Sequence, residues 1–484
     1  MASSRPHLKG LSEIFTFFRK NETPVYFVSP TAFNVLGIDQ WVNNFEYINY
    51  FDSFDGYHPR ILIPQETGPQ DFQSMEDVCN YLLGHKEVVD HVRSRGPGGK
   101  VMLVMFDEET EDLVNDLGLE MALPPASLRH RLDSKIVTTQ LGNEAGVPSV
   151  PNALGYAKSY AELNELTKKH GLGTDLVVQT PYGDSGRTTF FISSEQDWNK
   201  YAEKIGDQQI KVMKRINHIP GTVEAVATRH GTLVGPLMHD ITGFAELTPY
   251  KGGWCGNDAY HSALPAKRSA KVRKMIEALG NRLYQEGYKG TFCVDFLIDT
   301  DDGEVYLGEI NPRISGASPP TNLITSKYGG APLMMFHLLE FMDVDYDLNI
   351  KAIQSRWTEF DNWSQLVFKQ TEDKVELITK APPSGVWRLN DDGRIEFVRR
   401  TIDWHTVGDE HEAFYMRVYG AGEYRYHGAD MGVLVTRGRM QTDDRQLRDR
   451  ATKWVTAIME QFEGTAPPPS MPAIPPDWAM TKMY

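Results

Sequence analysis

Two acidic residues near the middle of the chain lie where a short turn would bring them together. Asp295 sits in an alternating run, Thr291 to Ile298, and Glu309 in a second run, Glu304 to Arg313. Thr300, Asp301, Asp302 and Gly303 between them are turn formers, so the two runs read as a β-hairpin. Folding about that turn places Asp295 within about one residue of Glu309 across the ladder. Directly opposed side chains have Cβ atoms about 4.5–5.5 Å apart, and like charges there destabilise a sheet. Val294, Phe296 and Leu297 flank Asp295, and an unpaired charge in such a setting is costly. A cation between the carboxylates resolves both problems. Asn311 shares the parity of Glu309 and adds a third oxygen, a hard donor set that suits Mg²⁺, with Mn²⁺ as the alternative, better than Zn²⁺. Arg313 has the same parity, and its guanidinium would neutralise charge on a transferring phosphoryl group or an acyl phosphate; it is the candidate catalytic residue. Alternating polar residues on a strand commonly mark no more than a solvated face. Asp295 on the partner strand and Gly316 just beyond tip the balance toward a metal.

The surrounding elements must hold this hairpin. A chain of 484 residues suggests about three domains. Over 1–124, Pro24–Val28, Arg60–Ile63 and Lys100–Phe106 read as buried strands separated by helical stretches, an α/β unit with a partly parallel sheet. No G-x-G-x-x-G follows any of them. After Leu123–Ala126 a helix is expected over 133–145, capped by Asp133 or Ser134 and broken by Gly146–Pro151. Another helix is expected at 160–170. Asp175–Gln179 and Arg187–Ile192 are strands flanking the turn-rich loop Thr180–Gly186. Ile210–Ile216 and Thr222–Thr228 read as a strand pair, 268–287 and 325–342 as helices, and 346–464 as a β-rich segment ending in a helix from 443 to 462. The prolines of 465–484 predict a tail that is extended, disordered or draped on a partner.

At the hairpin the chain resembles the ATP-grasp superfamily. Gly308–Gly316 looks like the strand that ends that family's metal site, and the resemblance covers about residues 125–345. Asp133, Ser134 and Lys135, opening a helix that ends before Gly146-Val147-Pro148, match upstream; the resemblance implies that Lys135 contacts ATP phosphates. Tyr182–Arg187 looks like the glycine loop that covers the triphosphate, where Gly183, Ser185, Gly186 and Arg187 would approach phosphate. Val212–Asn217 with Gly221–Glu224 looks like the hinge and its acidic element, implying nucleotide contacts at Lys214, Arg215, Ile216 and Glu224. The family usually carries a lysine where Gln179 stands, and acidic residues where Lys214 and Arg215 stand. Arg187 is the expected substitute for the missing lysine. The implied fold is mixed α/β and α+β: an N-terminal α/β domain at 1–124, an ATP-grasp domain at 125–345 with a small lid at about 135–210, and a C-terminal β-rich cap at 346–464. Arg417–Gly438 is loosely similar to the closing subdomain of biotin carboxylases.

The resemblance implies an ADP-forming ligase that activates a carboxylate as an acyl phosphate and joins it to an amine. Two alternatives stay open: a bicarbonate-activating, biotin-carboxylase-like enzyme, and a nucleotide-binding protein without turnover. Ile314–Pro319 lacks the carboxylate base expected of a biotin carboxylase, and the chain has no biotinyl Met-Lys-Met. Arg313–Gly316 looks closer to amino-acid ligases. Candidate substrate contacts are Ser315 and Gly316, together with His239, Lys251 and Trp254 from the stretch between the hinge and the hairpin. The partners expected are a small carboxylate and an amine. The net charge of −15 disfavours nonspecific nucleic-acid binding. Cys79, Cys255 and Cys293 form no metal spacing or disulfide framework. The sequence shows neither a secretory h-region nor an apolar run long enough to span a membrane, so a cytoplasmic protein is expected. ATP-grasp proteins are often dimers, which leaves a homodimer open.

Overall fold

The computed structural model describes residues 6–65, 72–183 and 188–467. The expected phosphate contacts Ser185, Gly186 and Arg187, and the tail from 468 onward, lie outside the described residues. The N-terminal region is an α/β unit. Its five strands run in the order Ile61–Leu62, Phe45–Asn49, Val25–Ser29, Lys100–Leu103 and Glu120–Met121, all pairs parallel. The middle strand is buried at every residue, as a parallel strand covered on both faces must be. Helix Met75–Gly84 packs on it and starts with a reciprocal cap between Ser74 and Asp77.

A small antiparallel sheet follows, in the order Asn152–Gly155, Ile210–Lys214, Leu176–Gln179 and Thr189–Ile192. Leu176, Val178, Ile210 and Val212 gather with Trp198 in an apolar cluster of their own. The two strands expected to pair with each other do not. Ile210–Lys214 stays in this sheet, while His218–Thr228 belongs to the large one, pairing with Gly231–Thr242 and Gly290–Asp299. Alternation marks both segments as strands, but the edge each joins is decided by tertiary packing.

The large sheet has ten strands. Its first five are Val305–Asn311, Gly290–Asp299, His218–Thr228, Gly231–Thr242 and Trp254–Ala259. Trp254–Ala259 then pairs with Trp363–Lys369, and the order continues through Asp430–Arg437, Glu412–Arg417, Gly385–Leu389 and Ile395–Arg399. The C-terminal β-rich segment therefore extends the central sheet. The helix expected at 325–342 is two helices, Ser318–Gly329 and Leu333–Leu339, because Gly330 turns left-handed at φ 79° and Pro332 cannot continue the first. The C-terminal helix is Asp449–Met459, shorter than expected, and residue 465 ends a further strand, Glu463–Thr465, which pairs with Glu376–Lys380. Among the described residues, no helix is long and apolar enough to cross a membrane.

Candidate active site at the carboxylate hairpin

The hairpin register puts Asp295 directly opposite Glu309, and Cys293 opposite Asn311. A bulge between Asp295 and Phe296 re-aims the strand at that point. On the other side Asp295 faces Thr222, whose hydroxyl donates to Asp295 Oδ1 at 2.8 Å. The Asn311 amide donates to Asp295 Oδ2 at 3.2 Å, and Arg313 Nη2 donates to Asn311 Oδ1 at 3.0 Å. Lys135 opens helix Lys135–Glu144, which Ser134 caps. Its ammonium is 4 % exposed and donates to Glu309 Oε1 at 3.2 Å and to the Gly183 carbonyl at 2.6 Å. Gly183 has φ 130°, and an added Cβ would lie 2.2 Å from Thr188 Cγ2, so only glycine brings that carbonyl to the lysine.

These groups surround a cavity of about 300 Å³. Thr222, Asp240, Trp254, Asp295, Glu309, Asn311, Arg313, Ser315 and Gly316 line it. Burial pushes the Asp295 carboxyl above the usual range, against the pull of Thr222, Arg313, Asn311 and Lys135. Burial likewise raises Glu309, with Lys135 opposing and Asp295 adding to the rise. Asp240 is raised by burial first and by Asp295 second. A divalent cation between Asp295 and Glu309 would relieve that pair. Among the described residues no three His, Cys, Asp or Glu side chains converge closely enough to hold a metal unaided. The donors therefore fit an ion held by the Asp295–Glu309 pair and the second lone pair of Asn311 Oδ1, with ligand oxygens completing its shell, the habit of Mg²⁺.

The loop after the hairpin is fixed from three directions. Asn34 of the N-terminal unit donates to the Ser315 carbonyl at 2.9 Å. Gln365 of the C-terminal segment donates to the Gly316 carbonyl at 2.6 Å. Trp254 lies against Gly316, where an added Cβ would be 2.5 Å from the indole Cη2. Ser315 Oγ accepts from the Ala317 amide at 3.1 Å, which commits it to the turn.

Other expected residues stand elsewhere. His239 Nε2 meets the Ala263 carbonyl at 2.7 Å, and burial lowers its basicity; the next residue, Asp240, is the one that lines the cavity. Lys251 is exposed on a turn. Glu224 is fully buried, bonded by the Ser318 hydroxyl at the start of helix Ser318–Gly329, and its carboxyl is pushed up to about 7 by burial. Lys214 and Arg215 are exposed, Arg215 lying 5.0 Å from the Phe191 ring, and the Ile216 carbonyl is met by His218 Nδ1 at 3.3 Å. Gln179 donates to Thr189 Oγ1 at 3.1 Å. All three cysteines are buried, and burial raises each thiol, which disfavours the thiolate.

Sequence reading missed two residues. Asp240 stands between His239 and Ile241, and its facing depends on strand parity around a bulge between Ile241 and Thr242. Lys211 is 1 % exposed and stands directly opposite Gln179. Burial, with Lys135 nearby, presses its ammonium down to about 8, while Glu309 pulls the other way. Nothing local in Ile210-Lys211-Val212 distinguishes it from a surface strand lysine.

No protein-family model matches the chain. The large chain of carbamoyl phosphate synthase from Neisseria meningitidis serogroup B is 24 % identical over 281 residues, 55 % of this chain. The match spans only 24 % of that protein's length. The biotin carboxylase domain of Hydrogenobacter thermophilus 2-oxoglutarate carboxylase, solved with MgADP, ADP and bicarbonate, is 13 % identical with a TM-score of 0.59. That likeness covers 91 % of this chain and 90 % of the other. The L-amino acid ligase from Bacillus licheniformis is 12 % identical with a TM-score of 0.52, covering 92 % and 99 %. The chain has the fold of these ATP-grasp enzymes.

Proposed function

We propose that the chain is an ATP- and Mg²⁺-dependent ligase that phosphorylates a carboxylate and passes the acyl group to an amine, releasing ADP and phosphate. One observation carries this reading: Asp295 and Glu309 oppose each other in register, with Lys135 and Arg313 as the cations beside them. Asp295, Glu309 and Asn311 would hold the metal, which supplies charge neutralisation to phosphate oxygens when bound. Lys135, already turned to the hairpin, is placed to meet phosphate. Arg313 Nη2 reaches Asn311 and its side chain lines the cavity, so its charge is available where an acyl phosphate would form. Trp254 and the pinned 314–317 loop cover the acceptor end and limit water, which would hydrolyse that intermediate. An amine then displaces phosphate at the acyl carbon.

A bicarbonate-activating reaction is the second reading, favoured by the likeness to a biotin carboxylase domain solved with bicarbonate. The 314–317 loop offers no carboxylate to act as base. Phosphate and ADP release by pure protein with MgATP, against pooled carboxylates crossed with pooled amines and against bicarbonate, decides between them. Release requiring both a carboxylate and an amine supports the ligase. Release with bicarbonate alone supports the second reading, and AMP release would exclude an acyl phosphate.

A further inference from the structure

We propose that Lys211 supplies the phosphate-binding charge of the small sheet, carried one strand away from position 179. The inference rests on the nucleotide reading above. Lys211 and Gln179 are register partners on adjacent antiparallel strands, so their side chains leave the same face of the sheet. The opposite face, carrying Val178 and Val212, is the sheet's own apolar core. Lys211 thus turns toward the hairpin, where Glu309 and Lys135 both influence its ammonium.

The ammonium is poorly provided for. Lys211 is 1 % exposed, and among the described residues its one hydrogen bond is a long one, 3.4 Å to Ser149 Oγ. Among the described residues, no carboxylate lies within 4.0 Å of it in an ion pair, in contrast to Lys135. A buried ammonium needs a counter-charge and several acceptors. Gln179 cannot serve as the cation, being neutral and engaged with Thr189. Lys135 and Lys211 therefore form a two-cation seat beside an acidic pair suited to a divalent ion. A polyphosphate chain with its metal matches that pattern, since it brings several acceptor oxygens to both ammoniums at once. A single carboxylate would fill only one of the two seats.

The test is calorimetric binding of MgATP and of adenosine to the full-length protein, to Lys211→Met, and to the double variant Lys211→Met with Gln179→Lys. Lys211→Met is expected to weaken MgATP binding by about tenfold to a hundredfold, the scale of one charge-assisted phosphate contact, and to leave adenosine binding unchanged. Adding Gln179→Lys should restore most of the loss, because the new ammonium leaves the same face from the neighbouring strand. MgATP affinity unchanged in Lys211→Met would overturn the inference and leave the lysine as a support for Ser149. Equal loss of MgATP and adenosine would also overturn it, because the role would not be one of charge. Wild-type protein that binds no MgATP would defeat the nucleotide reading itself, an outcome distinct from either of these.

Discussion

Replacing Glu224 by Gln should stabilise the protein above neutral pH and leave it unaltered in mild acid. Glu224 is 0 % exposed, and its carboxyl is pushed up to about 7 because burial outweighs the hydroxyls of Ser318 and Thr291. The unfolded chain loses this proton near an ordinary glutamate value of about 4.3, while the folded chain keeps it. The folded state therefore binds more protons between those limits, and stability falls as pH rises through the window, then levels off above the folded value. At about 1.4 kcal/mol per pH unit, the loss is about 4 kcal/mol by pH 8. Glutamine keeps the size and can still accept from Ser318 without carrying a charge. Thermal unfolding of both proteins from about pH 5 to about pH 8.5 should give Tm curves that nearly meet at the acid end. They should separate by several degrees at the alkaline end. Parallel curves would show that Glu224 is not held in a protonated state. The same variant locates the residue's role: unchanged MgATP affinity fits a pin between the sheet and helix Ser318–Gly329, and a tenfold loss would return Glu224 to the nucleotide.

Glu309→Gln should raise the Mg²⁺ concentration needed for half-maximal ADP release by at least about tenfold; an unchanged Mg²⁺ curve would place the metal elsewhere. Arg313→Ala should lower kcat by about a hundredfold with little change in MgATP affinity, and the reverse split would remove its role at the developing charge. Gly316→Ala should drive Trp254 from its seat, because the new Cβ would lie 2.5 Å from the ring. At an overpacking cost of about 1–3 kcal/mol, turnover should fall about tenfold while nucleotide binding persists. Wild-type turnover in that variant would show that the indole does not shape the acceptor end.

The hairpin was legible because its chemistry is local. A four-residue turn and a period of two fix the facing of Asp295, Glu309, Asn311 and Arg313, and the observed register sets the acids directly opposite. Lys135 was reached only through the family resemblance, since a lysine at a helix start by itself reads as solvated. Asp240 and Lys211 were not legible, because their facing depends on which sheet each strand joins and on a bulge, both settled by long-range packing. His239 drew attention by its residue type, yet it shows the other side of its strand. The division into a central domain and a cap followed the family resemblance and the strand-like segments after 346, neither of which carries a sign that Trp254–Ala259 and Trp363–Lys369 are hydrogen-bonded neighbours.

The pinned loop also bears on how the protein comes to life during synthesis. Ser315 is tethered by Asn34 and Gly316 by Gln365, a donor from early in the chain and one from late. The Gln365 strand is in turn paired with Asp430–Arg437. A nascent chain that has emerged only to the end of the hairpin holds every proposed metal ligand but lacks the second tether. Its acidic pair would stand open to water, and any activated acyl group formed there would be lost to hydrolysis. On the proposed function, competence for ligation should thus arrive only once the strand at 430–437 has docked, and the region 125–345 grafted alone onto another scaffold should not carry that activity with it.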